Sequence, residues 1–222
     1  MKRGRLVGPP KPAVHLAYGT AGFRAKAELL DSTFFRMGML AVLRSRARGG
    51  LAVGLMVTAS HNAECDNGIK LIDTDGGMLD QRWEPMATAL ANAPDGELTD
   101  TLDTLVKDAG IASSSGGRVL VARDTRSHSE RLAQLALEGI AHLDARGEDF
   151  GLLTTPQLHH IVRHTNGASA AGPHVGPAAW ASEAGYCDML ADAYGKFVTS
   201  DVRAQHQTNA SLPNRWARSY LT

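Results

Sequence analysis

Short apolar runs alternate with broad-faced amphipathic stretches along most of the chain. Leu51 to Val57 is almost wholly apolar and predicts an interior strand covered on both faces. Gly68 to Ile72 resumes the apolar run, with a strand expected over Ile69 to Ile72. Upstream, Val14 to Tyr18 predicts a short strand. Gly19-Thr20-Ala21-Gly22-Phe23-Arg24 then reads as a loop, because two glycines three apart permit tight turns. A helix begins at Asp31 or Ser32. It carries Phe34, Phe35, Met37, Met39, Leu40, Val42 and Leu43 and ends at Gly49-Gly50. Arg44, Arg46 and Arg48 crowd its last turn, where positive charge suits the helix dipole.

Further helices are expected over Trp83–Ala93, with Pro85 in the first turn, and over Thr99–Ala109. Ser113-Ser114-Ser115-Gly116-Gly117 reads as a linker. Arg118 to Ala122 predicts a strand, Arg123 to Ser127 a loop, and 128–143 a helix with Leu132, Leu135, Ala136, Ile140 and Leu143 at helical spacing. Phe150 to Leu153 is a further strand. Pro156 opens a helix holding Leu158, Ile161 and Val162. Residues 165–178 lack periodicity. Ala179 to Val198 predicts a helix broken at Gly185, and 200–222 is polar and unpatterned, with Trp216 and Tyr220 lacking apolar neighbours.

This order implies an α/β fold with a sheet covered on both sides. The expected organisation is an irregular N-terminus (1–12), a main domain (13–155), helices leading into a second domain (156–199) and a divergent tail (200–222).

Composition changes this picture little. The chain has 222 residues, 23 basic and 23 acidic, so nothing in its charge points to nucleic acid or to a membrane surface. No apolar stretch approaches the ~18 residues needed to span a bilayer. The basic first 27 residues lack an apolar signal core and contain no serine, and Pro9, Pro10 and Pro12 break any amphipathic transit helix. Cys65 and Cys187 form no metal-ligand spacing and fit a reducing compartment, although two cysteines can pair. A cytoplasmic protein is expected.

The chemistry concentrates at Thr58-Ala59-Ser60-His61-Asn62, between the two apolar runs. A Ser/His hydrolase reading fails, because Ser60 and His61 are adjacent and their side chains diverge, and there is no GxSxG elbow. Phosphoryl transfer asks instead for a carrier hydroxyl, cations and backbone amides. Arg24, Lys70, Arg123 and Arg126 all lie near predicted strand ends.

Tyr18-Gly19-Thr20-Ala21-Gly22-Phe23-Arg24, Thr58-Ala59-Ser60-His61-Asn62, Asn67-Gly68-Ile69-Lys70, Arg123-Asp124-Thr125-Arg126 and Leu152-Leu153-Thr154-Thr155-Pro156-Gln157-Leu158 occur in that order. Together they resemble the first domain of the α-D-phosphohexomutases and, within that family, its eukaryotic phosphoacetylglucosamine mutase branch. The resemblance spans roughly 14–198 and implies a three-layer α/β/α domain with a mixed sheet, followed by the start of a second domain. It also implies conversion of N-acetylglucosamine 6-phosphate to the 1-phosphate, on the route to UDP-N-acetylglucosamine. Ser60 matches the family's phosphoserine, which exchanges phosphate through a sugar bisphosphate and ligates Mg²⁺ through that phosphate. Lys70 and Arg24 match residues of proton transfer and charge stabilisation, and His61 and Asn62 the loop beside the phosphoserine. His61, Asn62 and Arg123 are expected to bind substrate or phosphate; surface charge or pairing with Asp124 stays open for Arg123 and Arg126.

The departures are specific. The family's metal loop, sugar-reading loop and phosphate-binding loop are absent, so the chain is expected to be inactive alone. Asp73-Thr74-Asp75-Gly76-Gly77 is no substitute for the metal loop. Ala63 replaces a usual Pro, and Ser127-His128 a usual Pro-Ser. Two alternatives stay open: a non-catalytic module binding the full-length enzyme or another partner, and part of a sister phosphoglucomutase or phosphomannomutase.

Blander readings fit the remaining motifs. Asp73, Asp75 and Glu84 have calcium-loop spacing, but Met78 stands where such a loop needs glycine. His160 and His164 at i, i+4 lack an intervening glutamate and read as a helix face. Cys65 reads as a bystander, and Asn209-Ala210-Ser211 as a sequon by pattern only.

Overall fold

The computed structural model describes residues 8–19, 22–112, 116–167 and 178–211, with side chains from 179 to 198 in the last span. Thr20, Ala21, the serines 113–115 of the expected linker, 168–177 of the aperiodic stretch and 212–222 of the tail lie outside the described residues, as do 1–7 of the N-terminus. The elements in order are β1 (Phe23–Lys26), α1 (Asp31–Ala47), β2 (Ala52–Val57), β3 (Asp66–Ile72), α2 (Glu84–Asn92), α3 (Leu98–Asp108), β4 (Arg118–Arg123), α4 (Ser129–Ala141), β5 (Arg146–Leu152), α5 (Thr155–Asn166) and α6 (Glu183–Ser211).

The sheet is five-stranded and mixed, in the order β1-β3-β2-β4-β5. β3 runs antiparallel to β1 and β2, while β2, β4 and β5 are parallel. Strand side chains alternate between faces, and the two faces feed two cores. Val53, Leu55 and Val57 join α1 and α4 on one side. Ala52 and Met56 join Leu158, Ile161 and Val162 of α5 on the other. That double coverage explains the uninterrupted apolar run of β2.

α1 is buried all round from Ser32 to Arg46, more than a one-faced helix requires. Its arginines therefore act as internal donors rather than as exposed charges near a helix end. Arg36 donates through Nη1 to the carbonyls of Leu90, Ala91 and Ala93, capping α2, and through Nη2 to Asp95 at 2.6 Å. Arg44 pairs with buried Asp73 at 2.6 Å, and Arg46 donates to the Gly116 and Leu143 carbonyls. Asp73 is thus an ion-pair partner, which removes it from any calcium loop.

Two expectations near the N-terminus are corrected. Residues 14–18 do not form a strand. Their backbone is satisfied by α2 side chains: Leu16 N donates to Asn92 Oδ1, Asn92 Nδ2 donates to Leu16 O, and Tyr18 N donates to Thr88 Oγ1. The strand instead lies at Phe23–Lys26, within and beyond the segment read as a loop. Gly22 precedes it at φ +85°, where a Cβ would stand 2.0 Å from the Ile69 carbonyl oxygen, so the turn admits only glycine.

β5 begins four residues earlier than expected. As an edge strand it is polar, with Arg118 and Arg146 both paired to Glu148, and edge charge hides the strand pattern. α6 starts at Glu183, two residues before the break expected at Gly185, and runs through to Ser211, into the segment read as unpatterned. Both cysteines are free and exposed.

α1 and α4 meet backbone to backbone. A Cβ on Gly38 would lie 2.1 Å from the Ala136 carbonyl oxygen, and one on Gly139 would lie 1.9 Å from that of Phe35. Gly139→Ala gains about 1 kcal/mol of helix propensity but forces the helices apart, an overpacking cost of about 3 kcal/mol. Chemical denaturation should show a net loss of about 2 kcal/mol, the difference of those two estimates. A stabilised variant would refute the close contact.

Candidate active site

β2 and β4 run parallel with Val57 opposite Arg123, so both deliver their following loops to one edge of the sheet. The ladder continues past the strand ends, as Asp124 N donates to Val57 O and Leu153 N to Arg123 O. Strand ends of this kind, where several loops converge, are where α/β proteins place ligand sites. Here they enclose a cleft of about 770 Å³. Ser60 from the β2 loop, Lys70 from β3, Arg123 to Arg126 from the β4 loop and Leu153 to Gln157 from the start of α5 line it.

Ser60 is exposed at the tip of the β2 loop. Asn62 N donates to Ala59 O at 2.8 Å, closing a tight turn around it. Lys70 stands opposite Met56 and so faces the α5 side of the sheet. Arg24 stands opposite Gly68, two residues before Lys70 on the same face. A Cβ at Gly68 would lie 3.0 Å from Arg24 Cγ and closer still to the Phe23 and Thr58 carbonyl oxygens. Glycine there lets the arginine stem cross the strand.

Neither Arg24 nor Lys70 forms an ion pair with an acid among the described residues. Arg24 Nε is buried without a hydrogen-bond partner. The Lys70 ammonium is held below the usual lysine range, first by burial and then by the adjacent Arg24 charge. Two like charges and an orphaned donor are costly to keep together. An anion at this point would offset that cost.

The remaining expected site residues separate. Arg123 lines the cleft and reaches exposed Glu130 at 3.4 Å. Arg24, His61 and Asn62 are not part of the cleft lining. His61 is exposed, and Asn62 Nδ2 donates to Asp66 Oδ2 at 3.1 Å, within its own loop. Arg126 turns away from solvent and donates to four carbonyls of the Ser60 loop.

A second set of residues was not singled out by sequence reasoning. Asp124 accepts from Thr58 Oγ1 at 2.9 Å and from Ser129 Oγ at 2.5 Å. Asn67 Nδ2 reaches Ser129 Oγ at 2.9 Å and His128 Nδ1 at 2.8 Å. His128 Nε2 lies 3.0 Å from the Glu64 carbonyl, which only accepts, so the ring proton belongs on Nε2. Together these groups tie the loop after β2 to the start of α4. Thr58, Asn67 and Asp124 fall within the motifs that carry the family resemblance and His128 is one of its departures, but no sequence pattern signals that they meet at Ser129.

Among the described residues no three His, Cys, Asp or Glu side chains gather as a metal site. Asp124 is occupied by Thr58 and Ser129, and His160 Nε2 contacts the Trp180 carbonyl at 2.8 Å.

The model of the family described as phosphoglucomutase/phosphomannomutase, alpha/beta/alpha domain I, matches residues 37–96 and 99–172. Phosphoacetylglucosamine mutase of Mus musculus is 43% identical over 193 residues, which cover 87% of this chain and 34% of that protein. Aspergillus fumigatus N-acetylphosphoglucosamine mutase, solved with glucose 1,6-bisphosphate, superposes with a TM-score of 0.69 at 43% identity, covering 71% of this chain and 29% of that one. Its complex with GlcNAc-6P and magnesium gives 0.67 at 46% identity, covering 70% and 29%. The chain therefore spans about a third of the length of such relatives. With its mixed sheet covered on both faces, the chain belongs to the phosphoglucomutase/phosphomannomutase family and carries that family's α/β/α domain I.

Proposed function

We propose that Ser60 is a phosphoryl carrier in the interconversion of N-acetylglucosamine 6-phosphate and 1-phosphate. The observation that carries this reading is Lys70, which lines the cleft with Ser60 and stands beside Arg24, neither cation having an acidic partner among the described residues. Relatives with this domain are named phosphoacetylglucosamine mutases, and neighbouring structures hold GlcNAc-6P with magnesium, or a sugar bisphosphate.

In the forward direction the phosphoryl group leaves Ser60 Oγ for the sugar 1-hydroxyl, giving the 1,6-bisphosphate. The bisphosphate turns over and returns its 6-phosphoryl group to Ser60 Oγ. Arg24 and Lys70 would stabilise the charge that develops on the transferring group. A lysine with a lowered pKa also exchanges protons more readily near neutral pH. The rest of the electrostatic clamp, including the metal carboxylates, would come from residues other than those of this chain.

An exposed apolar stripe favours a second reading. Leu190, Tyr194 and Phe197 lie on one side of α6 and are 48%, 71% and 65% exposed. Such a stripe suits a chain that binds another polypeptide, the longer enzyme included.

Each reading has a test. After prolonged incubation with glucose 1,6-bisphosphate and Mg²⁺, mass spectrometry should find one phosphate on Ser60, stoichiometric rather than catalytic, and none in Ser60→Ala. Phosphate elsewhere, or none in the wild type, would remove the carrier assignment. Arg24→Met keeps the stem and deletes the like charge, so the Lys70 pKa should rise toward the ordinary lysine value while burial keeps it below. NMR titration of the Lys70 side chain reads this, and an unchanged or lower value would refute the coupling. Phe197→Glu should abolish any concentration-dependent association seen by sedimentation, and association that persists would exclude α6 as the contact.

A further inference from the structure

Arg126 lines the cleft beside Arg123, yet its donors are already committed. Nη1 donates to Ala63 O at 2.5 Å and to Asp66 O at 2.9 Å. Nη2 donates to Ala59 O at 2.7 Å and to Asn62 O at 2.9 Å. Nε faces Asp124 Oδ2 at 3.5 Å, the same oxygen that accepts from Thr58 Oγ1. A guanidinium has five N–H groups, and here four go to carbonyls of one eight-residue loop while the fifth faces a carboxylate. The side chain is only 14% exposed. By contrast, Arg123 has a single long contact to an exposed glutamate.

We infer that Arg126 is a positioning residue for Ser60, holding the loop by its carbonyl oxygens, and is not a ligand of the substrate phosphate. The inference rests on the reading of Ser60 as the carrier. The physical reason is polarity. A carbonyl oxygen is the negative end of the peptide dipole and repels a phosphate. Four of them drawn onto one cation at the base of the loop are neutralised there. The Ser60 and His61 amides, which donate to nothing among the described residues, are left free to donate to an anion. The planar fork is essential to this arrangement. A lysine keeps the charge but has three donors on one nitrogen, and it cannot span carbonyls that two separate nitrogens now divide between them.

Asp124 and His128 complete the mount. Asp124 fixes the Arg126 backbone, accepting from its amide at 3.1 Å, and also holds Thr58. His128 holds the far end of the loop through Glu64 O. The loop is therefore anchored at both ends and in the middle by the segment that starts α4.

The test uses the 222-residue chain and Arg126→Lys, which keeps the charge and the fold. Hydrogen exchange of the Asn62 and Asp66 amides, which donate to the Ala59 and Ala63 carbonyls that Arg126 grips, should speed up by about tenfold, the loss of roughly one charge-assisted hydrogen bond. Exchange in β2 and β4 should stay unchanged. Phosphoryl uptake at Ser60 from glucose 1,6-bisphosphate should lose maximal rate with no change in the half-saturating concentration. Arg123→Ala should do the reverse, raising the half-saturating concentration while loop exchange stays put. Unchanged loop exchange in Arg126→Lys overturns the inference, and so does a raised half-saturating concentration at an unchanged maximal rate. If the wild-type chain takes up no phosphate, the carrier reading fails on its own, and the exchange measurement still decides the role of Arg126.

Discussion

The parallel register of β2 and β4 is the constraint on which the site depends. With Val57 opposite Arg123, two chain segments 66 residues apart leave the sheet at the same level. The contacts described above follow from that coincidence. Asp124 can reach Thr58 only because both follow immediately on paired strand ends, and Arg126 finds the carbonyls of the Ser60 loop for the same reason. A shift of one residue would turn each side chain to the opposite face. The register is in turn held by two cores that accept alternate residues of β2 and leave no room for slippage. Gly38 and Gly139 then set how closely the α1–α4 layer lies on itself.

Much of this was legible in the sequence. β2 and β4 declare themselves by apolar runs, α4 and α5 by helical spacing, and Ser60 and Arg123 by their position at strand ends; Lys70, expected near a strand start, lies inside β3, which begins three residues earlier than Ile69. All three line one cleft. Edges and backbone contacts were harder to read. β1 has one fully buried residue, Phe23, and a small half-buried Ala25 against the same core, with Arg24 and Lys26 interleaved, so its pattern is faint. Residues 14–18 have strand-like composition, but their backbone partners are Asn92 and Thr88, about 70 or more residues away, which no local pattern encodes. The arginines of α1 look like surface charge at a helix end, and only the positions of Asp73, Asp95 and the α2 carbonyls show that they are internal.

Arg126 is the sharpest case. As text, Arg123 and Arg126 are equivalent, two cations in one loop. Their difference lies in their surroundings, main-chain oxygens for one and an open cleft with a distant glutamate for the other. Main-chain atoms are the same at every position, so a side chain that binds them leaves no complementary residue to find. His128 is similar: it reads as an odd replacement, yet it bridges Asn67 and the Glu64 carbonyl.

This has a consequence for how the loop can change over time. Because Arg126 grips carbonyls, its hold is blind to the identity of the residues it grips. Ala63 offers the same oxygen that a proline would, and so would almost any other residue. Side chains in the loop can thus change without loosening the hold of Arg126 on it. Apart from Thr58, which Asp124 holds by its hydroxyl, the loop is gripped from outside through main-chain oxygens, by Arg126 and His128.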